Sequence, residues 1–230
     1  PWSAANTATA AGSGTGAGGS SARSAPAGRA RTVCSIPARM GREAGLPNGR
    51  LNVVTGDGPA IGSWLLDNPQ VRMFSFTGSV RVGQSIRERA GIRKVALELG
   101  NNSATIVHRD CDLDLAAEMI AWKSFNNSGQ VCISVQRVYV HEDVRDAFVR
   151  KLADRAAKLV VGDPYEERTD IGPMISEKEA QRVEAWVSEA IAEGAKLVLG
   201  GKRDGAFYTP TILTRVKPSM KVCSREVFGP

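Results

Sequence analysis

The sequence predicts an α/β protein with a parallel sheet, and two observations support that prediction. Short apolar runs alternate with helix-like segments along the chain, and turns rich in glycine and proline separate them. Residues 51–90 give the order strand, helix, strand, helix, which is typical of βαβ units whose strands run parallel. Because no run of about 18 apolar residues occurs, the sequence predicts no membrane-spanning helix.

The predicted elements of the first half follow one another closely. Residues 51–54 are apolar enough for a short buried strand. A helix follows, because Ile61, Trp64 and Leu65 repeat at i, i+3 and i+4 and would share one face. The next predicted elements are a strand at 71–76, a helix at 80–90 and strands at 94–99 and 104–107.

The second half continues this alternation. A helix is predicted after Asp112, because Asp112 and Asp114 lie where the helix dipole favours acidic residues. The elements predicted after it are a strand at 133–140, amphipathic helices at about 142–160 and 176–193, and strands at 197–199 and 211–213.

Residues 1–42 form a low-complexity segment of aberrant composition. Most of residues 3–30 are Ala, Gly or Ser without apolar periodicity, so we expect them to be disordered or poorly packed. Residues 1–50 hold six arginines and one acid, Glu43, for a net charge of +5 out of the total of +6. Since the basic charge is confined to this segment, the sequence predicts no nucleic-acid-binding face.

The four cysteines are widely scattered, at Cys34, Cys111, Cys132 and Cys223, and none makes a Cys-x-x-Cys pair. With only two histidines in the chain, a Cys/His metal site is not predicted. Free thiols suggest a reducing compartment, and we expect a cytoplasmic location.

The segment Phe76-Thr-Gly78-Ser79-Val-Arg-Val-Gly83 joins a predicted strand to a predicted helix. At such a junction, free backbone N–H groups and the positive end of the helix dipole favour a phosphate. Gly78 would let the backbone approach a ligand, Ser79 would cap the helix or bind the phosphate, and Gly83 would permit close helix–sheet packing. The alternative is an ordinary helix N-cap after a strand.

Cys132 lies in the motif Gly129-Gln-Val-Cys132, between a predicted helix and a predicted strand. A cysteine in such a loop can be partly exposed and close to backbone donors, which favour the nucleophilic thiolate. Cys111 and Cys223 lack this glycine-containing setting. The alternative for any single cysteine is a small buried apolar residue.

Glu98 interrupts the apolar stretch Val95-Ala-Leu-Glu98-Leu99. A carboxylate in an apolar strand is costly unless it is paired or functional, and a buried one suits a general base acting on water. The alternative is an edge-strand glutamate that points into solvent. The alternation of the strand leaves both interpretations open.

Four motifs of the chain resemble, in order and spacing, those of the aldehyde dehydrogenase superfamily. They are Phe76-Thr-Gly-Ser79, Leu97-Glu-Leu-Gly100, Gly129-Gln-Val-Cys132 and Glu226-Val-Phe-Gly-Pro230. The resemblance runs almost continuously over residues 43–230. It implies a Rossmann-like parallel-sheet cofactor domain, of which residues 43–98 are part, followed by an α/β catalytic domain at residues 99–230. Both domains are expected to be incomplete, so that the chain is a fragment of a longer protein.

The resemblance also implies a mechanism and a set of site residues. In this superfamily, the cysteine matching Cys132 attacks an aldehyde to give a thiohemiacetal, and hydride transfer to NAD or NADP leaves a thioester. The glutamate matching Glu98 activates the water that hydrolyses the thioester to a carboxylate. The positions expected to contact the cofactor are Gly78, Ser79, Gly83, Leu99, Glu226 and Phe228. The expected partners are a small-molecule aldehyde and, for the full-length parent, further copies in a homodimer or homotetramer.

Some positions depart from the superfamily. Asn101 stands where a second glycine is usual, and Arg225 stands where an acid often precedes the matching glutamate. In residues 3–42, Ser3 replaces an asparagine that helps to stabilise the oxyanion, and the expected lysine of the adenosine site is missing. We interpret this segment as a compensated reading-frame error in GC-rich DNA. The alternative is a divergent or engineered tail.

Three other functions are alternatives to aldehyde oxidation by a hydrolytic route. They are an acyl-CoA-forming relative, a catalytically impaired or structural relative, and a cysteine hydrolase in which His108 or His141 would activate the thiol. Asn126, Asn127 and Ile133 are close to the nucleophile in sequence. Their side chains suggest a polar, narrow site for a small aldehyde or semialdehyde.

Overall fold

The computed structural model describes Ile36 and residues 39–230. The chain divides into two compact units, the first ending at Gly100 and the second formed by Asn101–Pro230. The expectation that residues 3–30 are disordered or poorly packed falls outside the described residues. The domain boundary predicted after Glu98 stays a prediction.

The first unit contains a β-α-β arrangement. Its elements are α1 (Gly58–Asp67), β1 (Met73–Thr77), α2 (Val80–Ala90) and β2 (Lys94–Glu98). Strands β1 and β2 are parallel, with Met73 opposite Lys94 at one end and Thr77 opposite Glu98 at the other. This is the parallel pairing that the alternation of strands and helices predicts.

Local interactions explain why the helices of this unit begin and end where they do. Asp57 caps α1 by accepting a hydrogen bond from the Ala60 backbone N–H at 2.9 Å. Arg93 donates to the carbonyl of Leu66 at 3.0 Å and to that of Ala90 at 2.8 Å. A cation at the C-terminal end of a helix is favoured by the helix dipole. Arg93 therefore joins the ends of α1 and α2.

One sequence prediction in this unit is wrong. Residues 51–54 do not form a strand, and they have no sheet partner among the described residues. A strand needs a hydrogen-bonded neighbour, and apolar content alone does not supply one. The helix predicted from Ile61, Trp64 and Leu65 is present as α1, in which Trp64 is 70% exposed and Ile61 and Leu66 are buried.

The second unit begins with another parallel pair. Its first elements are β3 (Ala104–Val107), α3 (Leu113–Phe125), a short 3-10 turn (Asn126–Gly129), β4 (Arg137–Val140), a second 3-10 turn (Glu142–Val144) and α4 (Arg145–Ala156). In the β3–β4 pair, Ala104 lies opposite Arg137 and Val107 opposite Val140. Strand β4 is shorter than the predicted strand at 133–140, because the chain turns before Arg137.

The rest of the second unit has antiparallel pairs. Its elements are α5 (Glu177–Ala192), β5 (Lys196–Leu199), β6 (Arg203–Asp204), β7 (Phe207–Tyr208), β8 (Ile212–Thr214) and α6 (Lys221–Ser224). Strand β5 pairs with β8, and β6 pairs with β7 in a short hairpin. The parallel arrangement predicted from the first half therefore does not extend to this end of the chain.

Three apolar clusters of described residues hold the second unit together. The largest one joins β3, α3 and α4, and its buried residues include Val107, Ala117, Ile120, Phe125, Phe148 and Leu152. The second packs Met174 and Tyr208 against Ala180, Val183 and Val187 of α5, and the third consists of Ala190, Ala195, Met220 and Val222. Burial raises the pKa of Tyr208 to about 12. These clusters support the loop that follows α3, where the candidate site lies.

Among the described residues, no helix is both long and apolar enough to cross a membrane. The same part of the chain contains no group of three or more His, Cys, Asp and Glu side chains placed to hold a metal ion.

Candidate active site

The loop after α3 has an unusual backbone conformation. Asn127, Ser128 and Gly129 have φ values of 51°, 57° and 67°, so three successive residues are left-handed. Residues other than glycine rarely adopt this conformation, and they persist in it only where the surroundings enforce it. Here the buried Ser128 hydroxyl donates to the carbonyl of Gly172 at 2.8 Å. The Asn127 amide donates to the carbonyl of Gln130 at 3.2 Å.

Gly129 brings this loop against the C-terminal motif of the chain. A Cβ atom at Gly129 would lie 2.1 Å from the carbonyl oxygen of Gly229 and 2.9 Å from the nitrogen of Pro230. The contact is with backbone, which cannot rotate away as a side chain can. Glycine is therefore required, both for the left-handed conformation and for the close approach.

Replacing Gly129 with alanine is expected to destabilise the protein by about 2–4 kcal/mol, because it adds both a steric clash and a backbone penalty. Gly194→Ala is the matched control, since Gly194 also has a positive φ, of 105°, but a Cβ there would meet nothing within 4 Å. The control should cost only about 1 kcal/mol. Urea denaturation measures both. Equal losses in the two variants would show that the contact with Gly229 is not tight.

Cys132 follows this loop and is exposed to solvent. Its carbonyl accepts a hydrogen bond from the side-chain amide of Asn101. Upstream in the same loop, the Gln130 side-chain oxygen accepts from the Ile175 backbone N–H at 3.0 Å. Hydrogen bonds thus fix the Cys132 carbonyl and the Gln130 side chain, while the thiol stays exposed. Such an arrangement is suited to nucleophilic attack.

The other described cysteines are less suited to that role. Cys111 and Cys223 are both partly buried. Burial raises the pKa of the Cys223 thiol, and the charge of Arg137 opposes this shift. A thiol that stays protonated is a poor nucleophile. Cys34 lies outside the described residues.

Glu226 and Phe228 belong to the segment whose residues Gly229 and Pro230 lie against Gly129, in the loop before Cys132. The Glu226 carboxylate accepts a hydrogen bond from the Asn101 backbone N–H at 3.2 Å. Val227 lies between them and is held at both backbone groups. Its N–H donates to the Gln136 side-chain oxygen at 2.5 Å, and its carbonyl accepts from the Arg182 guanidinium at 2.8 Å. Phe228 is 38% exposed and has a φ of 50°. The structure thus brings Cys132 and Glu226 together through Asn101.

The predicted phosphate turn lies in the first unit, at the start of α2. Ser79 is the N-cap of α2, and its hydroxyl accepts from the Val82 backbone N–H at 3.4 Å. The first turn of α2 contains no acidic residue, so nothing there repels an anion. A Cβ at Gly83 would lie 2.6 Å from a methyl of Leu99, which agrees with the close packing expected there. These features fit the phosphate of a dinucleotide.

Glu98 is the last residue of β2 and directly precedes Leu99. Its backbone carbonyl accepts from the Gly78 N–H at 3.0 Å, which connects it to the phosphate turn. Its side chain is exposed within the unit. The sequence left open whether Glu98 is buried or points into solvent. In the first unit its side chain points into solvent.

The two histidines face each other instead of the candidate nucleophile. The ring centroids of His108 and His141 lie 5.4 Å apart, and the His108 Nδ1 lies 2.7 Å from an Asp110 carboxylate oxygen. Among the described residues, no hydrogen bond joins either histidine to Cys132. The geometry gives no support to the cysteine hydrolase alternative.

The contacts of Asn101 with Cys132 and Glu226 were not predictable from the sequence, in which this residue is distinguished only as a departure from the superfamily. The side chain of this residue contacts a position 31 residues away, and its backbone N–H contacts one 125 residues away. No local pattern could reveal such contacts, although an amide in a place usually held by glycine is a signal in itself.

Comparisons with known proteins agree with these features. A sequence profile described as the Aldehyde dehydrogenase family matches residues 17–230. The match begins upstream of Glu43, the first residue of the predicted resemblance. The chain is 66% identical over 199 residues to the 3-sulfolactaldehyde dehydrogenase of Priestia aryabhattai, covering 86% of this chain and 42% of that protein. It is 43% identical over 198 residues to the succinate-semialdehyde dehydrogenase GabD of Escherichia coli, covering 84% and 41%.

Solved structures give the same result. The glyceraldehyde-3-phosphate dehydrogenase GapN of Methanocaldococcus jannaschii, complexed with NADP, superposes with a TM-score of 0.82 at 42% identity. The match covers 87% of this chain and 44% of that chain. The chain thus spans less than half the length of the curated relatives it matches. With its Rossmann-like α/β fold, it belongs to the aldehyde dehydrogenase family.

Proposed function

We propose that this chain supplies the nucleophile, the general base and part of the cofactor site of an aldehyde dehydrogenase that uses NAD or NADP. The observation that carries the proposal is the exposed Cys132 on a loop fixed by left-handed residues and packed against Gly229. Family membership gives that thiol its proposed chemistry.

Cys132 is the proposed nucleophile. Its thiolate adds to the aldehyde carbon and forms a C–S bond, and the carbonyl oxygen becomes an oxyanion. A bound nicotinamide cofactor would supply the acceptor for the hydride that leaves this carbon as the oxyanion collapses to a carbonyl. Cys132 then holds the acyl group as a thioester. The covalent bond keeps the intermediate in place between oxidation and hydrolysis.

Glu98 is the proposed general base for the second step. Its carboxylate takes a proton from a water molecule, whose oxygen attacks the thioester carbon. The C–S bond breaks, Cys132 leaves as a thiolate, and the acid product ionises to the carboxylate. Glu98 then passes to solvent the proton that it took from water. The chemistry requires a carboxylate that water can reach, which the exposed side chain of Glu98 provides. Because this side chain lacks the burial that favours a general base, its proposed role rests on the Leu97-Glu-Leu-Gly100 motif and on family membership.

Gly78 and Ser79 are the proposed contacts of a cofactor phosphate, because they lie at the start of α2, the positive end of the helix dipole. Glu226 would bind the nicotinamide ribose, and Phe228 would pack beside the ring. Support for the proposal includes the NADP complex of the M. jannaschii protein.

Substituting Ser79 with aspartate separates a phosphate-binding role from simple helix capping. Aspartate is also a good N-cap, so α2 should keep its stability. Its charge would repel a phosphate, so the affinity for NAD or NADP should fall about tenfold or more. Titration calorimetry and thermal unfolding measure the two effects. An unchanged affinity would rule out a phosphate at this turn.

We propose a short aldehyde with an anionic group as the substrate, with 3-sulfolactaldehyde as the first candidate. Support comes from the 66% identity to the Priestia enzyme of that name, against 43% to the E. coli succinate-semialdehyde enzyme. The test is formation of reduced NAD or NADP when 3-sulfolactaldehyde is added to the purified protein. A faster reaction with succinate semialdehyde would contradict the choice of substrate, and no reaction with either aldehyde would contradict the proposed function.

A further inference from the structure

We infer that Asn101 is a positioning residue that holds the nucleophile loop and the Glu226 carboxylate in one arrangement. The inference rests on the proposed function, in which Cys132 forms the covalent bond and Glu226 contacts the cofactor. Asn101 reaches both residues directly, one through its side chain and the other through its backbone.

The side chain of Asn101 uses both of its polar atoms. The Nδ2 group donates to the carbonyl of Cys132, and the Oδ1 atom accepts from the Ser103 backbone N–H at 2.6 Å. Because Oδ1 is held by a residue two positions away, the amide is oriented with its donor towards Cys132. The contact therefore acts as a tether of fixed direction on the backbone of the nucleophile.

The backbone of Asn101 serves Glu226 instead. Its N–H donates to the Glu226 carboxylate at 3.2 Å, and this bond does not depend on the side chain. The next residue, Asn102, strengthens the same connection, because its amide donates to the carbonyls of Cys223 at 2.8 Å and Arg225 at 2.9 Å. Two successive asparagines thus fasten the Glu226 segment, but only Asn101 also holds Cys132.

The two contacts of Asn101 predict separate effects on catalysis. Removing the side chain releases the carbonyl of Cys132 and leaves the N–H to Glu226 in place. Because positioning of a nucleophile contributes to the rate and not to cofactor affinity, kcat should fall while the KM for the cofactor stays constant. The loss of one hydrogen bond corresponds to about a tenfold fall in kcat.

The test uses Asn101→Ala, with Asn101→Asp as a second variant that keeps an acceptor for Ser103 but replaces the donor with a negatively charged carboxylate oxygen, which cannot bond the Cys132 carbonyl. Asn68→Ala is the control, because the Asn68 side chain makes its contact with Gln70 in the first unit. Hydrogen exchange measures how often the loop opens and does not require activity. The informative amides are those of Gln130 and Ser134, which donate to carbonyls within the loop.

In both Asn101 variants, exchange at Gln130 and Ser134 should be about tenfold faster, kcat about tenfold lower and the cofactor KM unchanged, and none of these should change in the control. If the exchange rates of Gln130 and Ser134 in the Asn101 variants equalled those of the unmodified protein, the proposed tether would be wrong. Faster exchange with an unchanged kcat would overturn its positioning role. If the unmodified protein oxidised no aldehyde, the proposed function would fail, while the exchange measurement would still decide whether the tether exists.

Discussion

Replacing Cys132 with serine should lower kcat for aldehyde oxidation by about four orders of magnitude or more. A serine hydroxyl is hardly ionised near neutral pH and, without an adjacent base, adds to an aldehyde far more slowly than a thiolate does. Loss of an attacking nucleophile in other covalent enzymes has effects of this size. Initial rates of cofactor reduction measure the change. Cofactor binding should be unaffected, since the thiol is not among the proposed cofactor contacts.

Cys111→Ser is the matched control for this substitution. Cys111 packs beside the largest apolar cluster of the second unit and is partly buried, unlike the exposed Cys132. Its change to serine should alter stability slightly and leave kcat within about twofold. Substantial activity in Cys132→Ser would show that another group forms the covalent intermediate or that none is formed.

Replacing Glu98 with glutamine should stop the reaction after the first half. Glutamine keeps the size of the side chain and its hydrogen-bonding capacity, but it cannot accept a proton from water. General-base catalysis contributes about a hundredfold or more, so steady-state turnover should fall by that factor. The covalent step needs no such base, so reduced cofactor should still appear in a rapid burst of about one equivalent per site.

Glu88→Gln provides the comparison, because Glu88 is an exposed glutamate on α2. It removes the same charge from the same unit and should leave both burst and turnover unchanged. A Glu98→Gln variant that lacked the burst would place Glu98 in the covalent step. A variant with normal turnover would remove it from the mechanism.

Much of the fold follows from short-range signals in the sequence. The helix predicted at 80–90 is present as Val80–Ala90, because Ser79 supplies a cap at one end and Gly91 ends the helix at the other. The strand predicted at 104–107 has the same bounds in the structure. In each case the residues that decide the element lie within it or next to it.

Features that depend on distant residues were not predictable in this way. The strand expected at 51–54 is absent, since apolar content does not determine whether a partner strand lies alongside. The first residues of the strand predicted at 133–140 belong instead to the loop that carries Cys132, where the Ser134 N–H donates to the Val131 carbonyl and not to a neighbouring strand. Apolar residues such as Ile133 occur both in strands and in loops, so they do not show where the strand begins.

The candidate site shows the same division. Motif resemblance identified Cys132, Glu98 and the residues of the phosphate turn as candidates, and their roles stay predictions. The left-handed run ending at Gly129 and the approach of Gly229 are tertiary features with no local signature. The tether from Asn101 to Cys132 likewise became visible only in the structure.

The most direct test of the account is to locate the covalent intermediate. Glu98→Gln protein would be mixed with NAD or NADP and 3-sulfolactaldehyde, quenched in acid, digested and analysed by peptide mass spectrometry. The proposed mechanism predicts an acyl group on the peptide containing Cys132, absent when the cofactor is omitted and absent in a Cys132→Ser background. An acyl group on another cysteine, or reduced cofactor formed with no adduct on any peptide, would contradict it.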